Sequence, residues 1–125
     1  MELNLDWRRE QSARLGAVSY EIRPLKVWAF QELMAFWESQ PRETADGQAR
    51  VRISPAQSLH LVDVARRIFP DHVRNLSGIA LRRDGASAPA APLDLCEEAP
   101  LLELAGEVLG RLVAISELNP GDEKN

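Results

Sequence analysis

Hydrophobic and polar positions alternate with a period of two near the start of the chain, which is the pattern of half-buried β-strands. The alternating apolar positions are Leu3, Leu5 and Trp7 in a first run and Val18, Tyr20 and Ile22 in a second. The pattern predicts a β element over residues 1–24, either a hairpin or a short sheet, that ends at Pro24.

In three later segments the apolar residues recur at three- and four-residue steps, which predicts three helices. The first is expected over residues 26–40 and the third over residues 98–118. The second is expected over residues 55–69, because Pro55 suits a first helical position and Pro70 removes a backbone donor. In the first helix the apolar positions at these steps are Val27, Phe30, Leu33 or Met34, and Trp37, and Trp28, Ala35 and Phe36 widen the apolar surface beyond one stripe.

Two apolar stripes run along the third predicted helix. The spacing of one resembles a coiled-coil seam, and the second stripe flanks it. Gly106 and Gly110 lie between them, either because another backbone approaches closely or as tolerated glycines. If one stripe faces the core, the other is free to contact a partner. The seam consists of Leu101, Ala105, Val108, Leu112 and Ile115, and the flanking stripe of Leu102, Leu109 and Val113.

The segment between the second and third helices, residues 79–95, is predicted to contain a loop and short strands, with a turn at Asp84-Gly85. A polar tail is expected over residues 119–125. These elements predict an α+β fold that is mostly helical, in which an N-terminal β-hairpin or short sheet packs on three main helices. We expect one domain over residues 1–125.

Length and composition agree with a globular protein. The chain has 125 residues, of which 45% are hydrophobic and 27% charged. No apolar run approaches the roughly 20 residues of a membrane-spanning helix, and the N-terminus lacks the pattern of a signal peptide. The single cysteine, Cys96, cannot form an internal disulfide and is expected to be a small buried residue. We therefore expect a cytoplasmic protein that is not secreted.

The charge distribution argues against a nucleic-acid partner. The net charge is −4, and residues 93–125 alone hold eight acidic and two basic groups. Arg66-Arg67, Arg74 and Arg82-Arg83 are the densest basic positions, but they are sparse and no aromatic residues alternate with them. A nucleic-acid binder usually shows a concentrated basic face.

No motif in the sequence predicts catalysis. His60 and Asp63 lie three residues apart and His72 follows, but zinc sites need three or four ligands at recognisable spacings. Phosphate-binding and nucleophile motifs are absent from the sequence. We expect no catalytic residues, no metal and no cofactor. An enzyme remains the alternative, and it would be recognised by a polar pocket that joins His60, His72, Asp63 or Glu97.

The apolar excess on the helices is the stronger signal. A small chain cannot place three such helices in the middle of one core, so at least one apolar face is expected to contact another protein or a second copy of the chain. The alternative is a monomer in which all of these faces are buried. The candidate protein-binding residues are Trp28, Phe36, Trp37, Leu102, Leu109 and Val113.

The order of elements resembles the small tail assembly chaperones of long-tailed bacteriophages and prophages. The segment Tyr20–Leu25 leads into Val27–Leu33 in a way similar to these proteins, as do Phe69–Val73 with Ser77-Gly78, and Ile115–Asn119. The resemblance implies a protein that binds the tape-measure protein during tail assembly. It would shield the apolar surface of that protein in the bacterial cytoplasm and help to recruit tail-tube subunits.

A second interpretation agrees equally well with the composition of the chain. The chain could equally be a phage- or bacterium-encoded inhibitor or adaptor that binds a cytoplasmic defence or regulatory protein. The sequence does not separate the two readings. A tape-measure gene immediately downstream would favour the chaperone.

Overall fold

The computed structural model describes residues 2–39, 42–45, 48–51 and 55–117, and the predicted tail over residues 119–125 lies outside them. The described chain contains four α-helices and small antiparallel sheets, which confirms the predicted α+β, mostly helical class. The elements are β1 (Arg8–Gln11), β2 (Ser19–Ile22), α1 (Val27–Glu38), β3 (Arg42–Ala45), β4 (Gln48–Val51), α2 (Pro55–His72), β5 (Val73–Ser77), β6 (Ala80–Arg83), β7 (Ala86–Pro89), α3 (Asp94–Glu97) and α4 (Leu102–Ser116).

The first strand differs from its predicted position. β1 follows the alternating run, and Leu3 and Leu5 within that run are each 57% exposed. The side chain of Asn4 accepts the backbone N–H of Asp6 at 3.0 Å. Such local bonds compete with strand pairing, so alternation alone placed the strand too early.

The second alternating run coincides with β2, and its inward side chains Tyr20 and Ile22 are fully buried. β1 pairs with β2 in an antiparallel ladder that sets Glu10 opposite Tyr20. β2 also pairs with β5, so the three-stranded sheet has the order β1-β2-β5. One face of this sheet therefore covers the core.

Pro70 does not end α2, which continues to His72 and passes directly into β5. A proline removes one helical hydrogen bond, and here the loss falls in the last turn. The ring of His72 bonds to the carbonyl oxygen of Ile68 in that same turn, with 2.8 Å between Nδ1 and the oxygen. The helix is therefore longer than the predicted span of residues 55–69.

The third predicted helix, over residues 98–118, is divided. A 3-10 turn covers Ala99–Leu101, and α4 begins only after it. Glu98 has extended backbone angles of φ −110° and ψ 120°, and these interrupt the helical path between α3 and the 3-10 turn. The α-helix therefore starts later than the apolar spacing indicated.

β6 and β7 lie within the predicted segment 79–95 and form an antiparallel hairpin. Asp84 and Gly85 connect them, with positive φ angles of 52° and 81°. Two positive φ angles in a two-residue loop are the signature of a type I′ turn, which Asp-Gly favours. The sequence also contains a hairpin that was not predicted, formed by β3 and β4.

One hydrophobic cluster of described residues joins the sheet to α1, α2, α3 and α4. We call it the core cluster. In the described part of the chain, no helix is both long and apolar enough to cross a membrane. Fully buried members of the core cluster include Tyr20, Ile22, Ile68, Phe69, Leu95, Val108 and Leu112.

Candidate protein-binding surface

α1 carries apolar side chains around most of its circumference, but only one of its faces is buried. Ala29, Leu33 and Phe36, spaced by four and three residues, are at most 4% exposed. Ala29 and Leu33 belong to the core cluster. This face anchors the helix to the rest of the protein.

A second apolar stripe lies beside the buried face and consists of Val27, Phe30, Met34 and Trp37, which we call the α1 flank. Val27 is 73% exposed, and the other three are partly exposed. Within the described chain, none of the four belongs to the core cluster or packs against it. Of the two alternatives at the middle step of the predicted spacing, Leu33 belongs to the core cluster and Met34 does not. Two stripes on one helix share the same spacing, and spacing does not identify the inward one.

Trp28, a predicted partner-binding residue, is 38% exposed. Its ring packs against the imidazole of His72, with 5.8 Å between the ring centroids. His72 is itself fully buried, and both ring nitrogens are paired: Nδ1 bonds to the carbonyl oxygen of Ile68 and Nε2 accepts the backbone N–H of Lys26. Burial is the main cause that lowers the pKa of His72. Trp28 thus rests on a fixed support while its outer side stays accessible.

Phe36 is not an exposed partner-binding residue as the sequence predicted. It is 4% exposed and meets Trp37 edge to face, with 5.3 Å between the ring centroids. The centroid of the His60 ring on α2 lies 5.7 Å from the centroid of the Phe36 ring. Phe36 therefore supports the partly exposed Trp37 from within the fold.

α4 exposes less apolar surface to a partner than the sequence predicted. Leu109 is 7% exposed within the core cluster, Val113 packs against that cluster, and Leu102 is partly exposed. The two stripes do not divide into an inward and an outward one. α4 packs on α2 and α3, and its polar side bonds to β1 and to the loop that follows β1. Ala105, Val108 and Leu112 of the predicted seam are buried as well.

Charged residues stand at the two ends of the α1 flank. Lys26 precedes the helix, Glu38 is its last residue, and both are exposed. Arg23 lies close to the same end as Lys26, because its backbone N–H donates to the carbonyl oxygen of His72 at 3.3 Å and that of Lys26 donates to the His72 ring. Within the described residues none of these three charged side chains forms an ion pair. In the sequence, Lys26 directly precedes Val27 and Glu38 directly follows Trp37.

Of the polar residues considered for an enzyme pocket, Asp63 and Glu97 are joined through Arg66, whereas the two histidines lie apart. The guanidinium of Arg66 pairs with Asp63 at 3.3 Å and with Glu97 at 3.1 Å. His60 and His72 stand near opposite ends of α2. The part of the chain that the structure describes contains no group of three or more His, Cys, Asp and Glu side chains suited to a metal ion.

The basic positions considered for nucleic-acid binding are mostly paired with carboxylates of the same chain. Besides Arg66, three further arginines form such pairs. They are Arg67 with Glu32 at 3.0 Å, Arg74 with Glu21 at 3.1 Å, and Arg83 with Glu98 at 2.9 Å.

Comparison with known proteins adds no relative: no protein family model, curated protein or solved structure matches this chain. The resemblance to phage tail assembly chaperones therefore rests on the sequence features described above.

Proposed function

We propose that this chain is a non-enzymatic protein-binding protein that acts in the cytoplasm and binds its client along the α1 flank. The observation that carries the proposal is the arrangement of α1. One face of the helix is buried in the core, and an adjacent stripe of large apolar residues stays partly exposed. Exposed apolar stripes on helices are typical of protein-binding sites.

The spacing of the α1 flank suits a helical client. An amphipathic helix can lie along α1 and insert its own apolar residues between Phe30, Met34 and Trp37. Aromatic residues are the common anchors of such contacts, because they bury much area at low entropic cost.

In its most specific form the proposal is a phage tail assembly chaperone whose client is the tape-measure protein. The support is the segment Tyr20–Leu25, which resembles that family and leads from β2 into α1. The tape-measure protein is long and largely helical in that family. Its amphipathic segments are the kind of partner that the α1 flank fits.

Co-expression tests the proposal. The tape-measure protein from the same genome is produced with and without the tagged chain, and its soluble and co-purified amounts are measured. We expect it to be soluble and captured only with the chain present. Equal solubility without the chain, together with no capture, would refute the chaperone function.

Two variants locate the contact. Met34→Glu places a charge in the middle of the α1 flank and should reduce capture about tenfold or more. Leu59→Glu is the matched control, because Leu59 is a 64% exposed apolar residue that belongs to α2 and not to the α1 flank. Equal losses in both variants would show that the α1 flank is not the binding surface.

A further inference from the structure

The tip of the β6–β7 hairpin places an unpaired carboxylate beside an unshielded backbone nitrogen. Asp84 and Gly85 form this tip, and both residues are exposed. Within the described part of the chain, the carboxylate of Asp84 forms no hydrogen bond or ion pair, and the N–H of Gly85 has no acceptor. A Cβ at Gly85 would meet no atom within 4 Å. The two groups are therefore neighbours that no other part of the described chain holds or covers.

An aspartate that precedes a glycine can rearrange through its own backbone. The nitrogen of Gly85 attacks Cγ of the protonated Asp84 carboxyl group, a C–N bond forms, and one carboxyl oxygen leaves as water with the amide proton. Water then adds to either carbonyl of the resulting five-membered succinimide, which gives back aspartate or gives isoaspartate. No other reactant is consumed, and the mass of the chain does not change. Glycine favours the attack, because it has no side chain to shield its nitrogen.

We propose that Asp84 is a site of spontaneous isoaspartate formation, and that this modification opens the tip of the β6–β7 hairpin. In isoaspartate the main chain runs through the former side-chain carboxyl group and gains one methylene. The longer loop no longer fits the two-residue turn that sets Arg83 opposite Ala86. Arg83 also bonds to Glu98 at 2.9 Å and to Asp94 at 3.4 Å. A displaced Arg83 therefore loosens the hairpin from the residues around α3.

Prolonged incubation of the purified full chain at neutral pH, followed by peptide mapping with chromatography and mass spectrometry, tests the site. Asp71 is the control within the same molecule, because it is also exposed but lies in the last turn of α2 and precedes His72. The side chain of His72 adjoins the nitrogen that would attack. We expect several times more isoaspartate at residue 84 than at Asp71.

Two substitutions at the tip separate the chemistry from exposure alone. Asp84→Glu keeps the charge, but its ring closure would need a six-membered product, so we expect a loss of the modification at this residue. Gly85→Asn supplies a residue that tolerates a positive φ angle and suits this turn. Its side chain shields the attacking nitrogen, and we expect it to slow the accumulation of isoaspartate at Asp84.

Equal amounts of isoaspartate at Asp84 and Asp71 would overturn the site, and so would an unchanged rate in Gly85→Asn. Hydrogen–deuterium exchange tests the effect on the hairpin. The amides of β6 and β7 should exchange faster in incubated wild-type protein than in fresh protein, and equally fast in fresh and incubated Asp84→Glu. Modified wild-type protein that exchanges no faster would overturn the opening of the hairpin. These measurements need no client, so their outcome is independent of the proposed function.

Discussion

The backbone N–H of Lys26 donates a hydrogen bond to Nε2 of His72, with 3.0 Å between the two nitrogens. This bond joins the start of α1 to the end of α2. The other ring nitrogen, Nδ1, lies 2.8 Å from the carbonyl oxygen of Ile68. Both bonds form together only when the imidazole is neutral and carries its proton on Nδ1. The support beneath Trp28 is therefore a neutral, buried histidine.

This arrangement predicts a loss of stability in mildly acidic solution. Burial, aided by the nearby cations of Arg23 and Lys26, lowers the pKa of His72 below its ordinary value of 6.5, although the hydrogen bond to Ile68 and the charge of Asp71 act in the opposite direction. Below pH 6.5 the unfolded chain binds a proton that the folded chain does not. The free energy of unfolding should therefore fall as the pH falls from 6.5 to the lowered pKa, by at most about 1.4 kcal/mol per pH unit.

Urea denaturation between pH 7.5 and pH 5.5 measures this dependence. His72→Gln keeps a donor and an acceptor but does not titrate, so its free energy of unfolding should change less with pH than that of the wild type. His60→Gln, at an exposed position of the same helix, should keep the wild-type dependence. Identical pH dependence in all three proteins would contradict the role of His72.

Removal of the hydroxyl group of Tyr20 is expected to leave the stability of the protein unchanged or to increase it. Tyr20 is fully buried, and within the described residues its hydroxyl oxygen has no hydrogen-bond partner. Burial raises the pKa of Tyr20 to about 12. Removal of an unpaired buried polar group relieves a desolvation cost.

Tyr20→Phe should therefore leave the free energy of unfolding unchanged or raise it by up to about 1 kcal/mol. Tyr20→Leu is the control that removes the ring as well, and it should lower the free energy by about 2 kcal/mol or more. Both are measured by urea denaturation at neutral pH. A clear loss of stability in Tyr20→Phe would mean that the hydroxyl group is satisfied, for example by a bound water molecule.

The fold class followed from the sequence because local signals and tertiary structure agree in several elements. Val18, Tyr20 and Ile22 alternate and all three are buried. Pro55 begins α2, and Asp84-Gly85 forms the turn of a hairpin. In each case the backbone preference of the residue and the requirement of the fold are the same.

The candidate surface was less predictable, because it depends on which apolar face turns inward. Spacing does not distinguish Ala29, Leu33 and Phe36 from the α1 flank, so Phe36 was predicted to bind a partner although it is buried. Leu109 was likewise assigned to an outer stripe, but it is buried. Only the positions of neighbouring elements decide such questions, and a single sequence does not contain them.

Glu107 of α4 fixes the loop that follows β1. One carboxylate oxygen accepts the hydroxyl of Ser12 at 2.8 Å, and the other accepts the backbone N–H of Ala13 at 2.6 Å. Ser12 is only 4% exposed. Glu107→Ala would leave this buried hydroxyl without its acceptor, and we expect a loss of about 2 kcal/mol in the free energy of unfolding.

The control lies one helical turn earlier. Glu103 pairs with Arg14 at 2.5 Å, but the two side chains are 82% and 70% exposed. Such pairs contribute little, so Glu103→Ala should cost less than about 1 kcal/mol. Thermal and urea denaturation of both variants measure the difference. Equal losses would mean that Glu107 acts only as a surface charge.

Replacement of glycine by alanine is expected to stabilise the protein at two positions and to destabilise it at a third. Gly106 and Gly110 are exposed in α4, and a Cβ at either position would meet no atom within 4 Å. Alanine favours a helix over glycine by about 1 kcal/mol. Gly106→Ala and Gly110→Ala should therefore each raise the free energy of unfolding by roughly that amount, if nothing else covers this side of α4.

Gly78 is the contrasting position. Its φ angle of 94° is unfavourable for other residues, and a Cβ there would overlap the backbone of Ala17. Gly78→Ala should therefore lower the free energy of unfolding by about 1–3 kcal/mol, as strained substitutions do. Urea denaturation compares the three variants. Loss of stability in Gly106→Ala or Gly110→Ala would instead indicate that another backbone packs against α4, which is the alternative that the sequence left open.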